Sequence, residues 1–218
     1  MDHMRDIAKL KNAELLFKFS LAVSGTCTAS NMSPFTYLSW FTFLGHTASE
    51  DELHLTLPQE KWAAVVFEHV AIHLMAVQID TALEAKFGTQ RFDNSNGEIR
   101  SACRIARLIR NAFAHDPFSP VWKFKQGLTS QKYQVSGILS LDLTGLEGHP
   151  VKREDYGGPL ALLRFLQFTM RLVESSGTLG RFNPHRDFYA PSRTGLVWPA
   201  LGVNPGFLER NKISRSLT

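Results

Sequence analysis

The stretch IRSACRIARLIRNAFAHDP, residues 99–117, decides how this chain is read. On a helix at about 100° per residue, Ala102, Ile105, Ala106, Ile109, Ala112 and Phe113 gather on one side, with Leu108 at its edge. Taking Arg110 as zero, Cys103, Arg107, Arg100, Asn111, Arg104 and His115 follow within an arc of about 140°. The spacing therefore predicts a helix over 97–115 with one apolar face and one strongly cationic face. Asp116-Pro117 stops it, because the residue before a proline disfavours the helical region. An apolar helix face must be covered, so the fold is expected to be mainly α, a bundle built around this helix.

Working outward, Pro58 suits the first turn of a long helix running to Phe87, with Gly88 as its stop. That helix is apolar over much of its circumference, which argues for burial inside the bundle. TQRFDNSNGE (89–98) is a turn-rich link between the two. Nearer the N-terminus, Ile7, Leu10, Phe17 and Leu21 recur at helical spacing and predict a helix over 4–23, ended by Ser24-Gly25-Thr26. PFTYLSWFTFLGH (34–46) is the most apolar stretch, and a short aromatic helix is expected over 35–44 with a loop over 47–57. Beyond Pro117 the period changes. VWKFKQ (121–126) and KYQVSGILSLDL (132–143) are split by GLTSQ, and Tyr133, Val135, Leu139, Leu141 and Leu143 alternate. That pattern predicts a β-hairpin inserted at about 121–143. After DYGGP a last helix is expected from about Pro159 to Ser175. The expected domain is 1–176, followed by an irregular C-terminal extension over 177–218, where proline, glycine and arginine punctuate the chain.

With 218 residues the chain can bury one sizeable core, and 16 phenylalanines with four tryptophans supply it. The formal charge of +4 is mildly basic, so its distribution carries more information than its total. Two cysteines, Cys27 and Cys103, do not make a disulfide framework, and free thiols with a cytoplasmic location are expected. The N-terminus lacks the apolar core of a secretory signal. No uninterrupted apolar run reaches spanning length, so no membrane segment is expected.

Four arginines on one helix face repel one another and call for carboxylates or an anionic partner. The helix itself supplies only Glu98. Arg100, Arg104 and Arg107 are therefore candidates for binding RNA, since guanidinium pairs with phosphate and stacks on bases. His115 sits where unpaired helix-end carbonyls favour a positive imidazole, and imidazole can serve as general acid or base. Arg110 stays charged and could hold the charge developing on a phosphate, while Asn111 could orient it. Together Arg110, Asn111 and His115 would suffice for metal-independent RNA cleavage with the 2′-hydroxyl as internal nucleophile. No cofactor and no metal are required. Arg110 and His115 differ by about 140° around the axis and roughly 7.5 Å along it, so one copy is not expected to focus both on one phosphate, whereas two copies about a twofold axis could. The competing explanation is a cationic helix end that caps itself and pairs with carboxylates such as Glu154 or Asp155.

Arg110, Asn111 and His115 in RNAFAH resemble the signature of the HEPN superfamily, in which arginine, a polar residue, three variable residues and histidine lie near the end of a helix. The preceding apolar helix and the following helix agree with its α-helical bundle, over roughly residues 4–175. The resemblance implies a HEPN-like bundle and a metal-independent endoribonuclease acting as a homodimer whose two motifs share one cleft. It also implies a toxin or defence effector, with an antitoxin as a possible partner. Arg110 and His115 would be catalytic, and Asn111 would assist. One toxin branch carries a tyrosine two residues after the histidine, where this chain has Pro117. Other members only bind RNA, nucleotides or proteins, so a non-catalytic binding module is the alternative.

Weaker constellations remain. His69 and His73 with Asp80 have helical spacing compatible with zinc, but the order departs from H-E-x-x-H, and packed or solvated histidines are expected. Gly157-Gly158-Pro159 could cradle an anion but reads as a turn and helix start. Cys103 falls on the cationic side, where a buried or half-buried bystander is expected. Trp122, Phe124 and Tyr133 could stack on bases but are expected to pack on the bundle.

Overall fold

A computed structural model describes residues 2–29, 40–43, 46–49, 55–124 and 128–175. The described residues belong to one compact unit, Met1–Pro184. The extension expected over 177–218 lies outside the described residues. The chain is mainly helical, with α1 (Asp2–Ala29), α2 (Leu57–Phe87), α3 (Gly97–Ala114) and α4 (Gly158–Glu174).

In α1 the buried positions are Asp6, Leu10, Ala13, Phe17, Ser20, Ser24 and Cys27, a strict alternation of four- and three-residue steps. That is the seam of a helix laid along another helix, here α2. The expected stop at Ser24-Gly25-Thr26 does not occur. Thr26 Oγ1 donates to the Ala22 carbonyl (2.9 Å) and Thr28 Oγ1 to that of Ser24 (2.8 Å), so the hydroxyls bond inside the helix and it runs on.

Helix α2 is central and packs on α1, α3 and α4. Its start is fixed by Thr56, whose N–H donates to Gln59 Oε1 at 2.8 Å, with Pro58 in the first turn. Its end is fixed by Gly88 at φ 72°, whose N–H reaches the Glu84 carbonyl at 2.8 Å. Ala64, Ala71, Ala76 and Ala82 are buried and let its neighbours approach. By length and mean hydropathy α2 could cross a membrane, although it has no uninterrupted apolar run of that length. Here it is the core helix, and Glu60, Glu68 and Asp80 on it are buried against the bundle.

Helix α3 starts where Asn96 Oδ1 accepts from the Glu98 and Ile99 N–H groups at 2.9 and 3.3 Å. Its buried side is the expected one, Ala102, Ile105, Ala106, Ile109, Ala112 and Phe113, together with Leu108. Helix α4 closes the bundle through Leu162, Phe165, Leu166, Phe168 and Leu172. Lys86 on α2 donates to the Leu172, Val173 and Ser175 carbonyls and so caps α4 from outside.

Two expectations about strands fail. The aromatic stretch forms strand β1 (Trp40–Phe43) paired antiparallel with β2 (His46–Ser49), where a helix and then a loop were expected; residues 35–39 lie outside the described residues. The later hairpin lies entirely within the second expected strand, as β3 (Lys132–Val135) and β4 (Leu139–Asp142), turning at Gly137 with φ 69°. Tyr133, Val135, Leu139 and Leu141 are buried as the alternation predicts, but the turn falls inside that run rather than before it. Val121 makes only an isolated bridge to Pro150.

Candidate functional site

The centre of the site is a carboxylate. Asp80 on α2 is completely buried and receives three arginines. Arg91 Nη2 lies 2.8 Å from Oδ1, Arg110 Nη1 2.7 Å from Oδ2, and Arg107 Nε 3.3 Å from Oδ2. The first two are hydrogen bonds, whereas Arg107 pairs by charge alone. Glu84, one turn further along α2, holds Arg91 Nη1 at 3.1 Å and Arg107 at 4.0 Å. The Phe92 ring lies under the Arg91, Arg104 and Arg107 guanidinium groups at 4.8, 4.5 and 5.9 Å.

This corrects the source of neutralisation. The carboxylates facing the arginines are Asp80 and Glu84, not Glu154 or Asp155. Asp155 instead accepts from Trp122 Nε1 (2.7 Å) and the Lys152 N–H (2.8 Å). Asp80 is taken up by the arginines, and among the described residues His69, His73 and Asp80 do not gather into a group that could hold a metal ion. Three guanidinium groups share two carboxylates, with Arg104 beside them over Phe92, and the Arg107 and Arg110 side chains remain about a third exposed. Arg100 stands apart, donating to the Asn94 carbonyl at 2.8 Å.

His115 is the first residue past α3, in helical backbone conformation and exposed. Its loop is built stiffly. Asp116 Oδ1 accepts from the Phe118 and Ser119 N–H groups at 2.9 and 3.3 Å. Val121 N–H returns to the Ala112 carbonyl at 3.3 Å, closing the loop at its base. Trp122, fully buried, anchors the end of the loop to the core. Thus Arg110 points back toward Asp80 while His115 stands on the exposed turn. Asn111 is half-buried between them, and among the described residues no hydrogen bond ties it to either.

The structure adds two imidazoles to this end of α3. The His69 ring meets the Phe113 ring edge-on at 5.7 Å. Burial holds His69 below the ordinary imidazole range, against the opposing effects of Glu68 and the Pro117 backbone. His73 is lowered first by burial and then by the Arg110 guanidinium. The Nδ1 atoms of both are buried without a hydrogen-bond partner among the described residues. At about 100° per residue, Trp62, His69, His73 and Asp80 fall within roughly 40° of one another on α2. One stripe therefore faces the C-terminal half of α3 and its loop.

Comparison of the chain with protein families, curated proteins and solved structures finds no match. The site therefore rests on its own chemistry. Cys103 is the bystander expected from the sequence. It is fully buried, and desolvation pushes its thiol up to about 11 despite Arg91 and Arg104. Trp122 and Tyr133 are buried, as packing rather than base stacking requires. Gly157 and Gly158, at φ 85° and 83°, make the turn into α4 beside a groove of about 440 Å³ under the hairpin.

Proposed function

We propose that this chain is a HEPN-like, metal-independent endoribonuclease that acts in the cytoplasm as a homodimer, as a toxin or defence effector with an antitoxin as partner. The observation that carries this reading is the end of α3. Arg110 is held rigidly by a buried carboxylate yet remains about a third exposed, and His115 stands exposed on a closed turn five residues on. His115 acts as general acid or base on the 2′-hydroxyl or the leaving 5′-oxygen. Arg110 stabilises the phosphorane charge, and Asn111 orients the phosphate. Arg104 and Arg107 add backbone affinity, with Arg100 at the far end of the same helix. Within one chain Arg110 and His115 diverge, so the second copy supplies the missing group. His69 and His73, held largely neutral by burial, line the same end.

The test is RNA cleavage by purified protein in EDTA, with His115→Ala beside it and the product ends analysed. Cleavage that requires His115 and leaves 2′,3′-cyclic phosphate supports the reading. Equal cleavage by both proteins places the chemistry elsewhere.

A second reading has its own observation. Asp80 neutralises part of the Arg110 charge that a catalytic phosphate clamp would use. That favours a non-catalytic module binding RNA, nucleotide or an acidic partner through the arginine face. RNA binding without cleavage, in a folded dimer, would select it.

A further inference from the structure

Next to the turn that carries His115, two large aromatic rings are left in solvent. Trp62 on α2 is 62% exposed and Phe118 58% exposed. Their rings are nearly parallel, 11° apart, with centroids 6.3 Å from one another. Neither is loosely placed. Trp62 belongs to the second turn of α2, and Phe118 is fixed by the Asp116 carboxylate through its own N–H. Two large rings exposed side by side make an apolar patch of the kind that marks an interaction site.

The rest of the seam says what kind. From Trp62 the same stripe of α2 passes His69 and His73 and ends at Asp80 with its arginines. His69 touches Phe113, His73 feels Arg110, and Arg110 reaches Asp80. The flat apolar platform and the excess positive charge are therefore two ends of one helix stripe, with Trp62 and Asp80 roughly 27 Å apart along the helix and the Arg107 and Arg110 side chains about a third exposed at the far end. Flat faces followed by guanidinium groups match a single-stranded nucleic acid, whose bases stack and whose phosphates need cations.

We propose that Trp62 and Phe118 form a nucleobase-stacking subsite, which seats a base of single-stranded RNA while the adjoining phosphate backbone runs toward Arg110. The subsite rests on the ribonuclease reading for its substrate, but stacking does not require cleavage. It sets affinity and the register of the strand and takes no part in the bond-breaking step.

The test uses a short fluorescein-labelled 2′-O-methyl RNA, which lacks the free 2′-hydroxyl and cannot be cut, with the full-length chain. Trp62→Ala is expected to weaken binding roughly five- to 150-fold, the range for loss of one stacked base, and Trp62→Phe to recover most of it. An abasic version of the same oligomer should bind wild type and Trp62→Ala alike. Sedimentation is run on each variant. Unchanged binding by Trp62→Ala overturns the subsite and leaves the ribonuclease reading intact wherever wild type still cleaves. Loss of self-association together with binding also overturns it, and makes the rings a contact between copies. Failure of wild type to bind the oligomer overturns it as well. The cleavage assay on unmodified RNA then decides the ribonuclease reading separately.

Discussion

The two ends of the α2–α3 seam are built on opposite principles. At one end Asp80, Glu84 and Phe92 lock arginines into a cluster whose centre, Asp80 with Arg91, is buried. At the other, His115 and Phe118 stand in solvent on a stapled turn, beside the exposed Trp62 of α2. The first end resembles a structural joint, and the second has little structural reason to look as it does. Arg110 belongs to both, anchored in one and opening toward the other. The contrast teaches that a cationic helix face is not uniformly available. Part of it is consumed in holding α2 to α3, and only the remainder can meet a ligand.

The sharpest way to break the contrast is at its buried end. Asp80→Asn leaves the buried Arg91 with only the half-exposed Glu84 as counter-charge, and a loss of about 3 kcal/mol is expected. Denaturant or thermal melts should register it as a fall in melting temperature on the order of 10 °C. A cost under 1 kcal/mol would show that the cluster is not a joint. Next in size is the start of α3. Asn96→Ala removes the oxygen that accepts from Glu98 and Ile99, at a cost of about 1 kcal/mol by the same melts.

A smaller, pH-dependent effect separates the two ends. His69 and His73 have folded-state pKa values below the ordinary 6.5. The unfolded chain then binds more protons than the folded one in that window, so stability falls as pH drops from about 6.5 toward the depressed values. Melts across this range should show the slope, and a His69→Gln, His73→Gln double variant should flatten it. The smallest stability effects belong to the exposed end. His115→Ala and Trp62→Ala should each change stability by less than about 0.5 kcal/mol. If either unfolds the protein, the exposed end is structural too.

Much of this architecture is legible in the sequence for a physical reason. The helix over 97–115 carries strong periodicity, the long helix stopped by Gly88 carries a sustained apolar run between clear start and stop signals, and both appear within a residue of expectation. The cationic face is legible too, but its neutralisation is not. Asp80 and Arg91 meet only once two helices and the turn-rich link are folded, and nothing local marks them. A carboxylate in the apolar second half of the helix is the available signal, and beside two histidines it suggests a metal only weakly against packed or solvated side chains. The hairpin is misplaced because alternation continues across Ser136-Gly137, so the period alone hides the turn. Trp62 and Phe118 carry no signal in spacing, since they lie in different elements and become neighbours only through the Asp116-capped turn.

The central claim is that Arg110 of one copy and His115 of another serve one phosphate. The most direct measurement mixes Arg110→Ala and His115→Ala proteins, each inactive alone, under conditions where subunits exchange, and follows RNA cleavage in EDTA. Mixed dimers are predicted to regain activity, because one of their two composite sites keeps both native groups. Persistent inactivity of the mixture, with active wild type and proven exchange, would contradict the shared site.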